Sequence, residues 1–272
     1  MHIKPKKSLG QHFLRDRNVI DRIVAAVETG KEQAAPGKEG RVIEIGPGTG
    51  ALTGPLSGIF SDLHVFEVDE RSVAFIARTW PEVTIHQQSF LDADLATLGD
   101  GAKGGSPFVV GNLPYFLTSP ILFRVIDHGD LFSGAVFMIQ KEVAERLVAR
   151  PRSGEYGILS VQAQVLGRME LLFPVSRHVF YPPPKVESAV IFYRPGNDRF
   201  PRSVQDLPVR LETFKSVVRT AFQQRRKKLS NALKSLFGSD FPEGFDTGRR
   251  AEELDPDEFV RLAEWLEMKR ER

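Results

Sequence analysis

Two short stretches of this sequence carry residue types at spacings fit for chemistry. Glu44-Ile45-Gly46-Pro47-Gly48-Thr49-Gly50 places three glycines directly after a short apolar run. Glycines there allow positive φ and close approach of the backbone to a ligand. Glu67 follows Gly46 by about 20 residues, where an acid meets the ribose hydroxyls of a bound nucleoside. Gly46-x-Gly48-x-x-Ala51 also satisfies the dinucleotide fingerprint. Taken alone, the loop reads as a nucleoside-cofactor site or simply as a tight strand-to-helix turn. The second stretch is Asn112-Leu113-Pro114-Tyr115. Its bland reading is a strand-terminating turn, since Asn and Pro both favour turns. Its chemical reading is a grip on a flat, amine-bearing ring. The Asn112 side-chain oxygen and the Leu113 carbonyl, turned out by the bend at Pro114, would accept from the amine. Tyr115 would offer a stacking face, and such a grip needs position rather than a metal or a nucleophile.

These stretches need a sheet to hold them. Apolar runs at Val42–Ile45, Leu63–Val68, Val83–His86, Phe108–Val110 and Ala135–Ile139 read as strands. Helical patterns fall at Asn18–Glu28, Thr53–Gly58, Glu70–Thr79, Ser119–Asp127, Glu142–Val148 and Ile158–Leu166. Continuous apolar strands separated by helices predict a mostly parallel sheet covered on both faces, an α/β fold. Both chemical stretches then lie at the carboxyl edge of that sheet, where open α/β sheets bind ligands. Met169–Phe173 and Ser188–Tyr193 read as an antiparallel closing pair around the turn at 181–184. After the turn-forming Arg194-Pro195-Gly196-Asn197-Asp198 only helical patterns remain, at Leu211–Phe222, Lys228–Phe237 and Pro256–Met268. We therefore expect an α/β domain over 1–195, with 1–12 as a flexible basic arm, and a small all-α domain over 196–272.

The absence of cysteine removes disulfides, thiolate nucleophiles and Cys-ligated zinc, and the 6 His form no pair at metal-ligand spacing. A metal is not expected. No apolar run reaches the ~20 residues of a membrane helix, and the N-terminal residues lack the apolar stretch of a secretory signal, so a cytoplasmic location is expected. The net charge is only +2, but it is unevenly spread. Lys4, Lys6 and Lys7 cluster at the start. No acid occurs between Glu212 and Asp240, a span holding Arg225-Arg226-Lys227-Lys228 and three further cations. A charge run is often just a solvated helix face, yet the missing acids favour contact with a polyanion.

Glu44-x-Gly46-x-Gly48-x-Gly50 resembles motif I of the class I S-adenosylmethionine-dependent (Rossmann-like) methyltransferases more than a dehydrogenase loop. Asn112-Leu113-Pro114-Tyr115 matches the N-[LIP]-P-[YF] signature of methyltransferases acting on amino groups of adenine, cytosine or glutamine. Further blocks narrow the resemblance. They are Gly10-Gln11-His12-Phe13-Leu14, Gln140 to Leu147, Tyr156-Gly157-x-Leu159-Ser160-Val161, Phe180-x-Pro182-Pro183-Pro184-Lys185-Val186-x-Ser188-Ala189-Val190 and Ala221-Phe222-x-Gln224-Arg225-Arg226-Lys227. From Gly10 to Leu236 the chain is similar to the rRNA adenine N6,N6-dimethyltransferases, and most of all to the bacterial small-subunit (16S) branch. The 23S rRNA adenine methyltransferases of antibiotic resistance share the front motifs but generally lack the Q-R-R-K segment, and rank second.

The resemblance implies S-adenosylmethionine as methyl donor. Its pocket would be lined by His12, Leu14, Gly46, Glu67 and Asn112, with Gln11, Gly48, Val68, Ser89 and Phe90 beside them. The family usually has Asp where this chain has Ser89; either Ser89 or Asp92 would meet the donor's adenine. The catalytic set would be Asn112, Leu113, Pro114, Tyr115 and Phe180, the last matching an aromatic that stacks on the target adenine opposite Tyr115. A core aromatic beside a proline turn is the other reading of Phe180. Phe116 replaces a residue often Asn in the family and adds an apolar wall. An adenine N6 amine is a poor nucleophile, so catalysis rests on alignment with the methyl carbon and acceptors for its N–H groups. Lys4, Lys6, Lys7, Arg225, Arg226, Lys227 and Lys228 would contact RNA, namely 16S rRNA in the 30S subunit or its precursor, with the protein expected as a monomer. Two other readings stay open: a ribosome-assembly factor in which catalysis is secondary, and an NAD-dependent oxidoreductase, for which no acid–base pair is evident.

Overall fold

The computed structural model describes residues 3–37, 40–99, 105–199 and 203–270. In chain order its strands and α-helices are β1 Phe13–Leu14, α1 Arg17–Ala34, β2 Val42–Ile45, α2 Thr53–Ser57, β3 Leu63–Phe66, α3 Glu70–Thr79, β4 Thr84–His86 and β5 Phe108–Asn112. Then come α4 Thr118–Asp127, β6 Gly134–Gln140, α5 Lys141–Leu147, α6 Ile158–Leu166, β7 Gly167–Val175, β8 Phe180–Tyr181 and β9 Ser188–Pro195. The chain ends with α7 Leu211–Gln223, α8 Leu229–Ala232, α9 Lys234–Phe237 and α10 Pro256–Arg270. Among the described residues no helix is long and apolar enough to cross a membrane.

Two units are formed: Met1–Ala144 with Glu170–Pro195, and Glu145–Met169 with Gly196–Arg272. The helical unit thus takes in a segment running from within α5 to the start of β7, not only the residues after 195. The reason is visible in its packing. Tyr156 is fully buried and donates its hydroxyl to the Leu254 carbonyl at 2.9 Å. The Phe222 and Phe259 rings stack at 5.7 Å, and α6 packs on α7 and α10.

The first unit is built on a seven-stranded sheet of order β4-β3-β2-β5-β6-β9-β7. Pairs β3/β4, β2/β3, β2/β5 and β5/β6 are parallel; β9 runs antiparallel to β6. Every residue of β2 is buried, as are all but the last of β5 and β6, which is why these runs are apolar throughout rather than alternating. The helix expected at Asn18–Glu28 runs Arg17–Ala34. Asp16 caps it by accepting from the Val19 amide at 3.0 Å. Its buried Ile20, Ile23, Val24 and Val27 supply about 1.5–3 kcal/mol each. Strands β7 and β9 do close the sheet, but the stretch between them is more than a turn. Phe180–Tyr181 forms its own strand, paired antiparallel with β1.

In the helical unit the expected single helix Lys228–Phe237 is broken. The Leu229 and Ser230 amides donate to Arg249 and Thr247 carbonyls, and Lys228 bridges Arg250, so the helix cannot extend back through the basic run. Arg225-Arg226-Lys227 therefore sits on a turn after α7, between the two helices expected from sequence. Gly238, at φ 63°, ends α9.

Candidate active site

The glycine loop leaves β2 with Gly46 at φ 68° and Gly48 at φ 56°, a conformation other residues take only under strain. A side chain at Gly48 would also meet the Phe13 ring at 3.0 Å. β3 stops at Phe66, earlier than its apolar run, because the next carboxylate takes over the backbone amides. Glu67 Oε1 accepts from Val68 at 2.8 Å and Asp69 at 2.9 Å; Oε2 accepts from Gly48 at 3.1 Å. Burial raises the Glu67 pKa, and these three amides work against that rise. Oε2 keeps acceptor capacity toward the cavity.

Glu44 lies beneath the loop, 2% exposed, accepting the Thr53 hydroxyl at 2.6 Å. Burial pushes its pKa from 4.5 up to about 8, so it is largely protonated near neutral pH. The sequence reading used Glu44 only as part of a motif; the structure places it in the cavity wall.

At the next parallel strand, Asn112 ends β5 and Leu113 donates its amide to the Met138 carbonyl at 3.1 Å. The Asn112 amide nitrogen donates to the His12 carbonyl at 3.1 Å. A carbonyl only accepts, so this contact fixes the amide's orientation and turns Oδ1 the other way. The His12 ring stacks on Tyr115 with centroids 5.8 Å apart, and its Nδ1 lies 2.7 Å from the Pro182 carbonyl. The Tyr115 hydroxyl pairs with Ser188 at 2.7 Å, and burial raises its pKa.

One cavity joins these parts. Its walls include Gln11, His12, Leu14, Gly46, Gly48, Glu67, Val68, Ser89, Phe90 and Asn112, together with Leu113, Pro114 and Tyr115. Asp92 is exposed and does not line it, whereas Ser89 does; Ser89 Oγ accepts the Leu91 amide at 3.1 Å and retains a second lone pair. Phe180 is not brought to the cavity. It is 5% exposed, packed in the core cluster opposite Leu14 in the β1/β8 pair. Phe116 does line the cavity.

Sequence reasoning missed Asp69. Its side chain caps α3, pairs with Arg71 at 2.6 Å, and accepts from Gln11 at 3.0 Å and Lys6 at 3.4 Å. Hydrogen bonds from Arg71 hold its carboxyl well below the usual carboxylate range. Arg71 also donates to the Lys4 carbonyl at 2.9 Å. The described part of the basic arm is thus laid against the carboxylate next to Glu67; residues 1–2 lie outside the described residues. A local signal existed, since Asp69 opens a helix, but nothing local linked it to the arm. In the helical unit, Arg225 is engaged by Glu252 at 2.6 Å and the Gly154 carbonyl at 3.0 Å, while Arg226, Lys227 and Lys228 are exposed.

The family model "Ribosomal RNA adenine dimethylase" matches residues 2–268. A protein of Chlorobium phaeobacteroides named ribosomal RNA small subunit methyltransferase A is 42% identical, covering 97% of this chain and 92% of its own length. One of the same name from Salinibacter ruber is 43% identical, over 97% and 86%. Among solved structures, a dimethyladenosine transferase from Plasmodium falciparum shares the fold, with a TM-score of 0.73 at 23% identity over 95% of this chain and 98% of its own. The 23S rRNA methyltransferase ErmE aligns with a TM-score of 0.65 at 26% identity over 94% and 99%. The sheet, the glycine loop and the Asn112 turn are thus those of a methyltransferase fold, and the chain belongs to the ribosomal RNA adenine dimethylase family.

Proposed function

We propose that this protein transfers methyl groups from S-adenosylmethionine to the N6 amines of two adjacent adenines near the 3′ end of 16S rRNA, within the small ribosomal subunit or its precursor in the cytoplasm, and so takes part in small-subunit biogenesis. The observation that carries the reading is the shared cavity. Glu67, whose carboxylate suits ribose hydroxyls, and Asn112, whose amide oxygen suits an amine, line the same space.

The residues fit a nucleoside donor. Positive-φ glycines bring bare backbone to the cavity, Glu67 offers an acceptor, and the Ser89 second lone pair suits an adenine amine. When bound, the donor supplies an electrophilic methyl on a sulfonium. Asn112 Oδ1 accepts one N–H of the target amine and the Leu113 carbonyl the other, which holds the amine's lone pair toward the methyl carbon. The Tyr115 ring, fixed by His12 and Ser188, walls the acceptor end. Arg226, Lys227 and Lys228 on their turn, with Lys4 and Lys7 of the arm, contact phosphates; Lys6 and Arg225 act chiefly by holding those segments in place.

The names of the relatives favour the small subunit, and the likeness to ErmE keeps 23S rRNA as the competing substrate. The test is methylation of unmodified 30S and 50S particles with labelled donor, followed by mass spectrometry of both rRNAs. Dimethyladenine confined to 16S rRNA is expected; label in 23S rRNA alone would overturn the assignment. Asn112→Ala separates catalysis from assembly, because particle binding should outlast the loss of methylation.

A further inference from the structure

Asp69 does more than begin α3. Capping that helix uses one contact, from the Arg71 amide to Oδ1 at 3.3 Å. The side chain is completely buried, and Asp69 does not line the cavity. Its other acceptor sites are turned to the N-terminal arm. Oδ2 accepts from Gln11 Nε2 at 3.0 Å, and Oδ1 from Lys6 Nζ at 3.4 Å. Arg71 grips both oxygens, at 3.0 and 2.6 Å, and donates onward to the Lys4 carbonyl at 2.9 Å. A buried carboxylate is costly unless paired, and here Arg71, Lys6 and Gln11 pair it.

The arm is knit so that this hold is passed along. The Lys6 amide donates to Gln11 Oε1 at 2.9 Å, which turns Gln11 Nε2 toward Asp69. The Gln11 amide donates back to the Lys6 carbonyl at 3.4 Å, closing a loop with Gly10 at φ 59° in its turn. The next residue, His12, presents its carbonyl to the Asn112 amide at 3.1 Å. On the other side, the Asp69 amide donates to Glu67 Oε1 at 2.9 Å. Asp69 is therefore bonded directly to the residue proposed for the donor's ribose, and through Gln11 and His12 to the group proposed for the target amine. We propose that Asp69 is a positioning residue for methyl transfer: by fastening the arm to the Glu67 turn, it sets where the Asn112 amide stands. The inference rests on the methyl-transfer reading above. Releasing the arm misplaces Asn112 without removing it, so the loss falls on kcat more than on the KM for the donor.

The test uses two variants that keep the α3 cap, since Asn and Ser cap helices about as well as Asp. Asp69→Asn sets an amide donor against the donors of Gln11 and Arg71, and in Asp69→Ser the side chain is too short to reach the arm. In both, kcat on unmethylated small-subunit particles should fall about ten- to a hundredfold, the scale of a misplaced reacting group, with a smaller change in donor KM. Trypsin cleavage after Lys6 and Lys7 should quicken. Combining Asp69→Asn with Gln11→Glu restores one donor–acceptor pair with its direction reversed. The double variant should recover kcat and slow cleavage relative to either single change. Unchanged kcat in both single variants, unchanged cleavage, or a double variant no better than Asp69→Asn would overturn the positioning role alone. A wild-type protein that methylates no rRNA adenine would bring down the functional reading, and this role with it.

Discussion

The side-chain amide of Asn112 is oriented by the main-chain carbonyl of His12, at 3.1 Å, across a sequence separation of 100 residues. The residue that would grip the acceptor amine is thus set by the arm that also reaches Asp69, beside the donor end. Asn112→Ala should lower methylation at least a hundredfold while donor affinity changes little, because it removes the acceptor proposed for the reacting amine. Single-turnover methylation and calorimetry check this; near-normal turnover would refute the role.

Glu67→Gln replaces one carboxylate oxygen by a donor and disturbs the contacts to Gly48, Val68 and Asp69. Donor affinity should fall about tenfold or more. The maximal rate at saturating donor should change less than the affinity. Isothermal titration beside initial rates separates the two.

Glu44 predicts a pH effect. Its folded pKa of about 8 stands above the ordinary 4.5, so between those values the folded protein holds a proton the unfolded chain has released. Stability must then fall as pH rises through this window and level off above it. Glu67 is raised by burial and acts with the same sign. Glu44→Gln keeps an acceptor for Thr53 but cannot ionise, so its Tm relative to wild type should climb between pH 6 and pH 9, by an amount reflecting a few kcal/mol. A Tm difference independent of pH would show that Glu44 is ionised in the folded state.

Changing Arg226, Lys227 and Lys228 together to Glu should weaken particle binding at least tenfold and flatten its salt dependence by about three in log–log slope, roughly one per lost phosphate contact. Donor binding should be untouched. Arg225→Ala should act differently. It breaks contacts to Glu252 and Gly154, so thermal stability is lowered first. Filter binding across a salt series, with melting curves, distinguishes the two effects.

What could be read ahead of the structure was local. The glycine loop, Glu67 and Asn112 each follow an apolar strand, so sequence order places them on one edge. What escaped reading was set by distant pairing. For Phe180 a core place was one of two readings, and the pairing that buries it, β8 with β1, joins residues far apart in sequence through only two register pairs. Asp69 has the look of a plain helix cap and is one, yet its link to Gln11 spans 58 residues. The Arg225 to Lys228 run suits a helix by propensity, and loses it because the amides just after it are claimed by Thr247 and Arg249.

The excursion of Glu145–Met169 into the helical unit has a practical consequence for anyone dissecting the protein. No single cut isolates the catalytic half. A fragment stopped at residue 195 would still carry α6 but not α7 or α10, baring the face of α6 that packs on them and inviting aggregation. Isolating the catalytic unit would require removing Glu145–Met169 as well as the residues after 195.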